Sequence, residues 1–135
     1  MIHLYTDGAC SPNPGHGGLG WVWVADNDII YQGSETIEEY PTTNNRAELF
    51  AILSALKAVG IDDDKREITI YSDSKWCINC VTGVWKPKKN QDILERIKSI
   101  TEKMTVVWKW VKGHDGNKWN EHADYLATSA IKKHK

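Results

Sequence analysis

The sequence is short of the features that mark several broad classes of protein. No apolar run approaches the roughly 20 residues that a membrane-spanning helix requires. The opening MIHLYTDGAC lacks a basic region followed by a long apolar stretch. A soluble, cytoplasmic protein is expected. Cysteine is scarce as well: three residues, an odd number, make no disulfide framework. Cys77 and Cys80 form a lone CxxC without the second pair that would complete a zinc site. Reduced thiols fit the cytosol. Internal repeats, linkers and low-complexity stretches are missing too. The 135 residues, 41% hydrophobic and 26% charged, suit a single domain spanning 1–135 with a real core.

A net charge of −1 argues, at first sight, against a polyanionic partner. The charge is unevenly distributed. Residues 1–67 carry 4 Lys/Arg against 11 Asp/Glu, and residues 68–135 carry 13 against 7. Lys86, Lys88 and Lys89 crowd beside Trp85. Such a patch can engage phosphate whatever the global balance, although lysines on a loop are also ordinary solvated surface.

The first third reads as three strands: IHLYTD, GWVWVAD after a glycine-rich turn, and DIIYQGSETI after the turn-forming Asp26-Asn27-Asp28. Over 44–59 the period changes to helical, with Leu49, Ile52, Leu53, Leu56 and Val59 on one stripe and Gly60 as a stop. REITIYSD is a fourth strand, running into a short helix from Ser74 that ends near Gly83. After the loop VWKPKKN come a helix over 91–103, a strand TVVWKWV, a polar loop KGHDGNK and a helix over 119–132. The order βββαβααβα predicts an α/β fold with a five-stranded mixed sheet, antiparallel through its first three strands and joined by helical crossovers to the rest.

Four acids sit where a solvated surface does not explain them. Asp7 closes the first strand on the face shared with Tyr5, and Asp73 repeats the arrangement after Thr69 and Tyr71. Strand ends at a sheet edge are where open α/β sheets build ligand sites. On the first helix Ile52, Ala55 and Val59 fall within about 40° of Glu48, so it points down the apolar stripe. On the last helix Asp124 lies within about 60° of Ala127 and Ile131, at the margin of the apolar face. Singly, each has a local explanation: Asp7 and Asp73 as turn formers, and Asn45-Arg46-Ala47-Glu48 as a capping box. Together, four inward acids would repel one another and resist desolvation unless cations neutralised them. All-oxygen ligation without a Cys or His cluster favours Mg²⁺ or Mn²⁺ over zinc.

Six segments then carry a resemblance that runs through nearly the whole chain. They are TDGAC with Asp7, NPGHGGLGW, TTNNRAEL with Glu48, YSDS with Asp73, WVKGHDG with His114 and NEHADYLA with Asp124. In this order and spacing the sequence resembles a type 1 ribonuclease H catalytic domain. The resemblance implies an RNase H-like fold and endonucleolytic hydrolysis of the RNA strand of RNA/DNA hybrids, leaving 5′-phosphate and 3′-hydroxyl ends. It implies two Mg²⁺ ions per site, with Mn²⁺ as a substitute. Two metals about 3.5–4 Å apart can both activate water and relieve charge on the leaving oxygen. By resemblance Asp7 bridges the ions, Asp124 helps hold the water-activating one, and Glu48 and Asp73 help hold the other. His114, between Gly113 and Gly116, matches a histidine that assists proton handling or product departure. Without the family it would be an ordinary loop histidine, or a zinc ligand with Asp115 and His122.

For the RNA strand the resemblance nominates the backbone around Gly8, Ala9 and Cys10, the side chains Asn13, Asn44 and Asn45, and Lys75. The 2′-hydroxyl is what these groups must see. For the DNA strand it nominates Thr43 and Asn90 as a phosphate pocket and Trp85 as an aromatic contact, against a core-packing role for that tryptophan. Departures accompany the match: Lys75 stands where many members have Gln, and Pro41 where some have a basic residue. VTGVWKPKKNQDILERI passes almost directly to the next helix, without the basic protrusion of well-known bacterial members. Weaker hybrid affinity follows from the lost cations; a protrusion-bearing comparator binding no more tightly at matched salt would contradict this. No hybrid-binding domain is expected, nor an obligate protein partner, and the chain reads as a free-standing monomer. Rival readings are an integrase- or resolvase-like nuclease, which lacks the NNRAEL, GH and NEHADYLA segments, and a catalytically silent hybrid-binding module, for which clustered acids near phosphate are a handicap. Cys10, Cys77 and Cys80 default to packing.

Overall fold

The computed structural model describes residues 2–59, 67–113 and 117–133. Nine elements follow one another as β1 (Ile2–Ser11), β2 (Gly15–Ala25), β3 (Asp28–Thr42), α1 (Asn44–Val59), β4 (Glu67–Ser72), α2 (Lys75–Val81), α3 (Gln91–Thr101), β5 (Thr105–Trp110) and α4 (Lys118–Lys132). The strands form one sheet in the order β3-β2-β1-β4-β5, antiparallel from β3 to β1 and parallel from β1 through β4 to β5. This is the mixed sheet that the element order predicts. None of the described helices is long and apolar enough to cross a membrane.

Alternation along β1 and β4 explains why helices cover both faces. Leu4, Ile68 and Ile70 turn to one side and meet the stripe Leu49, Ile52, Leu53 and Leu56 of α1, together with Ile93 and Ile97 of α3. On the other face Val22 and Val24 of β2 pack with Ala123 and Leu126 of α4, flanked by Tyr5 and Trp119. Each fully buried aliphatic side chain contributes about 1.5–3 kcal/mol. These two layers fix α1 and α4 on opposite sides of β1.

Three readings of the sequence change. The glycine-rich segment is not a turn: the chain reverses over 12–14, and Gly15, Gly17, Gly18 and Gly20 already belong to β2. Gly18 and Gly20 lie against the backbone of α4 at Ala127 and Ala123, where a side chain would have no room. Accordingly β1 does not stop at Asp7 but continues to Ser11, its last residues paired with these glycines from Gly8↔Leu19 to Ser11↔His16. β3 likewise runs past Ile37 to Thr42. The Asp26-Asn27 turn is as expected, both residues taking positive φ (51° and 64°) as a two-residue hairpin loop demands. Gly60 and Arg66, read as a helix stop and a strand start, lie outside the described residues.

Candidate active site

The position of the acids follows from strand register. In the parallel pair β1 and β4, Tyr5 sits beside Tyr71, so two residues further on the chain brings Asp7 beside Asp73 at the C-terminal end of the sheet. The two tyrosine rings beneath them stack 4.2 Å apart and 5° from parallel. α1 approaches this end from its own side and delivers Glu48. Carboxylate oxygens of Asp7, Glu48 and Asp73 all lie within 4.8 Å of one another. Asp124 of α4 comes in from the opposite face and its side chain reaches Asp7. The sequence therefore names four acids that the fold brings together, three tightly and one through Asp7.

Glu48 points inward because α1 starts where it does. Thr43, not Asn45, caps the helix: its Oγ1 accepts from the Arg46 amide at 3.2 Å. The capping box is therefore absent and Glu48 is free of a capping role. Its Oε1 accepts instead from the Gly8 amide at 2.5 Å, and its Oε2 from the Ser72 hydroxyl at 3.4 Å. Gly8 has to be glycine, since a Cβ there would run into the Ala47 carbonyl. Ser72, 1% exposed, also accepts from the Ser74 amide at 3.1 Å, and Ser74 in turn caps α2. Ser72 escapes sequence reasoning; a hydroxyl on an otherwise apolar strand, next to an acid, is the signal for it.

Electrostatics at the cluster are strained. Asp7 is 5% and Glu48 7% exposed. Burial raises the Asp7 carboxyl far above the carboxylate range, reinforced by its hydrogen bond with Glu48 and by the charges of Glu48 and Asp73. Burial also raises Glu48, to about 7, with the Asp73 charge adding to the push and the Asp7, Gly8 and Ser72 hydrogen bonds opposing it. Among the described residues the ion pairs join Arg46 to Glu39 and Asp92, and none reaches Asp7 or Glu48. Cys77 lies near enough to Glu48 that burial, then this negative charge, hold its thiol protonated. A set of carboxylate oxygens, mutually repelling and without a protein cation on the buried pair, fits hard divalent ions.

The remaining nominated residues make contacts of their own. Asn13 Oδ1 accepts from the Asn44 amide at 3.2 Å, joining the β1–β2 turn to the start of α1; Asn45 is exposed beside it. Gly8, Ala9 and Cys10 lead from the acids to that turn. The Cys10 thiol donates toward the carbonyls of Pro12 (3.2 Å) and Thr42 (3.3 Å), tying the end of β1 to the end of β3. Thr43 and Asn90 are brought together by Arg46, which sequence reasoning misses. Its guanidinium bonds both oxygens of Glu39 at 2.7 Å, both of Asp92 at 2.9 and 3.1 Å, and Asn90 Oδ1 at 3.0 Å. These partners lie up to 46 residues away in the chain, which is why no local pattern exposes them. Trp85 is 49% exposed, which removes its core-packing reading, and it sits on the same loop as Lys86, Lys88 and Lys89. Lys75 places its Nζ 4.5 Å from the centroid of the Trp110 ring. His114 and Asp115 lie outside the described residues; Gly113, which precedes them in the sequence, packs against Asp73, where an added Cβ would stand 2.9 Å from Oδ2.

A cavity of about 580 Å³ between β3 and α1, walled by Trp21, Ile37, Phe50 and Leu53, includes none of the four acids in its lining.

Comparison with known proteins agrees with this geometry. A family model described as RNase H matches residues 1–132. Proteins named Ribonuclease H from Francisella philomiragia and Francisella tularensis subsp. novicida are each 42% identical, over 96% of this chain and 90% of theirs. Among solved structures, LC11-RNase H1 in complex with an RNA/DNA hybrid superposes with a TM-score of 0.88 at 28% identity, covering 99% of both chains. The RNase H1 of the halophilic archaeon Halobacterium salinarum superposes with a TM-score of 0.85 at 31% identity, covering 98% of both.

Proposed function

The chain belongs to the RNase H family and acts as an endonucleolytic ribonuclease, and from that premise we propose that Asp7, Glu48, Asp73 and Asp124 are its catalytic carboxylates, acting with Mg²⁺ on the RNA strand of RNA/DNA hybrids. The observation that carries the reading is the convergence of Asp7, Glu48 and Asp73 within 4.8 Å, two of them buried with no ion pair to a cation among the described residues. Two divalent ions, when bound, supply an activated water and relief of charge on the departing 3′ oxygen, leaving a 5′-phosphate. Asp7, reached by acids from both faces of the sheet, would contribute to holding both ions, Glu48 and Asp73 would help it hold one, and Asp124 would help it hold the other. Gly8 and Ser72 hold Glu48 in position through their hydrogen bonds. His114, which follows Gly113 in the sequence, handles the proton or the departing product.

Substrate choice is divided between two sets of residues. Asn13, Asn44, Asn45 and the backbone of Gly8 to Cys10 face the RNA strand and read its 2′-hydroxyls. Thr43 and Asn90, organised by Arg46, receive a DNA phosphate, and Trp85 lies against deoxyribose with Lys86, Lys88 and Lys89 beside it. The protein and its Asp73→Asn variant, incubated with end-labelled hybrid, RNA duplex, single-stranded RNA and DNA duplex, with Mg²⁺ or chelator, test this. Mg²⁺-dependent cleavage of the hybrid's RNA strand alone is expected, falling at least about 100-fold in the variant. Cleavage of DNA, or binding without cleavage, would overturn the reading, and near-native activity of the variant would reject Asp73 as a ligand.

A further inference from the structure

Trp110, at the end of β5, is attached to the acid cluster by a contact of its own. Asp73 follows the last ladder residue of β4, Ser72, which pairs with Trp110. The Asp73 carbonyl thus lies just past the strand ladder, and a backbone acceptor in that position must find another donor. The indole Nε1–H of Trp110 supplies it at 2.9 Å, while the amide of Val111 donates to the Ser72 carbonyl at 2.9 Å. The Trp110 ring also carries the Lys75 ammonium, 4.5 Å from its centroid. The ring is 42% exposed, so packing alone does not account for a tryptophan there. One side chain therefore grips the main chain of a proposed metal ligand and a lysine two residues further along.

We infer that Trp110 is a positioning residue for the reaction: it fixes the Asp73 main chain so that the carboxylate stays in the cluster, and it aims Lys75 at a phosphate of the RNA strand. The two tasks use different parts of the indole. The N–H serves Asp73, and the π-face serves Lys75. Phenylalanine keeps the face and loses the donor, whereas leucine loses both. This inference rests on the metal-site reading above.

The test measures Mn²⁺ binding without substrate, by calorimetry, and hybrid binding in chelator across a salt series, for Trp110→Phe, Trp110→Leu, Lys75→Gln and Asp73→Asn, each checked for native circular dichroism. Trp110→Phe should weaken Mn²⁺ binding about tenfold and lower kcat, with an unchanged salt slope. Lys75→Gln should leave Mn²⁺ binding intact, raise KM and flatten the salt slope by about one unit, the signature of one lost phosphate contact. Trp110→Leu should show both effects. Native Mn²⁺ affinity in Trp110→Phe would overturn the first task, and a native salt slope in Trp110→Leu would overturn the second. If Asp73→Asn also leaves Mn²⁺ binding unchanged, the metal-site reading fails with it; if that variant loses Mn²⁺ and Trp110→Phe does not, only the present inference fails. A Trp110→Leu chain that does not fold leaves Trp110→Phe and Lys75→Gln to decide each task separately.

Discussion

Asp7→Asn is expected to abolish cleavage and, in chelator above neutral pH, to make the protein more stable than the wild type. Both consequences come from the same buried charge. In the folded protein Asp7 and Glu48 titrate above the ordinary carboxylate range, Glu48 at about 7, chiefly because burial disfavours their charged forms. The native state thus binds more protons than the unfolded chain between about pH 4 and these raised values, and stability must fall as pH rises through that window. Without metal, the wild type should lose melting temperature steadily from about pH 5 to 8. Asparagine keeps the volume of Asp7, donates to Glu48 and carries no charge, so the variant's profile should be flatter. At pH 8 the gain should be about 1–3 kcal/mol, or several degrees. Saturating Mg²⁺ should raise the wild-type melting temperature and leave the variant nearly unmoved. A variant no more stable than the wild type in chelator at pH 8, or one that still cleaves hybrid, would refute the account.

The second large effect is expected at Gly20, the cross-strand partner of Asp7. A Cβ at this position would overlap the Ala123 carbonyl and stand 2.6 Å from Leu126 Cβ and 2.7 Å from the Ala127 amide. Two of the three obstacles are helix backbone, which cannot swing aside as a flexible side chain can. Gly20→Ala must therefore lift α4 from the sheet, loosening the layer of Val22, Val24, Ala123 and Leu126. A destabilisation of about 3 kcal/mol is expected, at the upper end for overpacking. Urea denaturation measures it, and a loss below about 0.5 kcal/mol would show that α4 adapts. Activity should fall further than stability alone requires, because Asp124 travels with α4 while Asp7, Glu48 and Asp73 stay with the sheet and α1. Mn²⁺ binding by the folded fraction separates the two losses.

Much of this architecture was legible in the sequence where the cause is local. The 3.6-residue stripe on α1 gave both the helix and the inward direction of Glu48, and the matching alternation in β1 and β4 put Asp7 and Asp73 in equivalent positions two residues past Tyr5 and Tyr71, although β1 runs on to Ser11. Legibility stopped where the cause is tertiary. Gly18 and Gly20 look like turn residues, but their function is to let a helix 100 residues further along approach the sheet. Arg46 looked like part of a capping box, whereas its fork is spoken for by Glu39, Asp92 and Asn90. Asp124 sat at a helix margin from which neither exposure nor burial could be chosen. Trp110 looked like one more β-former in TVVWKWV, since nothing in that string reveals an indole reaching back to Asp73.

The parallel pairing of β1 with β4 has a mechanical meaning. Tyr5 and Tyr71, two residues before Asp7 and Asp73, are partners on adjacent strands, so the two stretches that carry the aspartates leave the ladder at the sheet's own hydrogen-bonded repeat of about 4.8 Å, and Trp110 has only to hold the Asp73 main chain where β4 delivers it. The gauge of the site is cut into the peptide backbone. Core substitutions and warming can slacken the layers above and below it, yet the spacing of the strands that deliver the two aspartates should drift only when the central strands themselves part, an opening expected to cost close to the full stability of the fold.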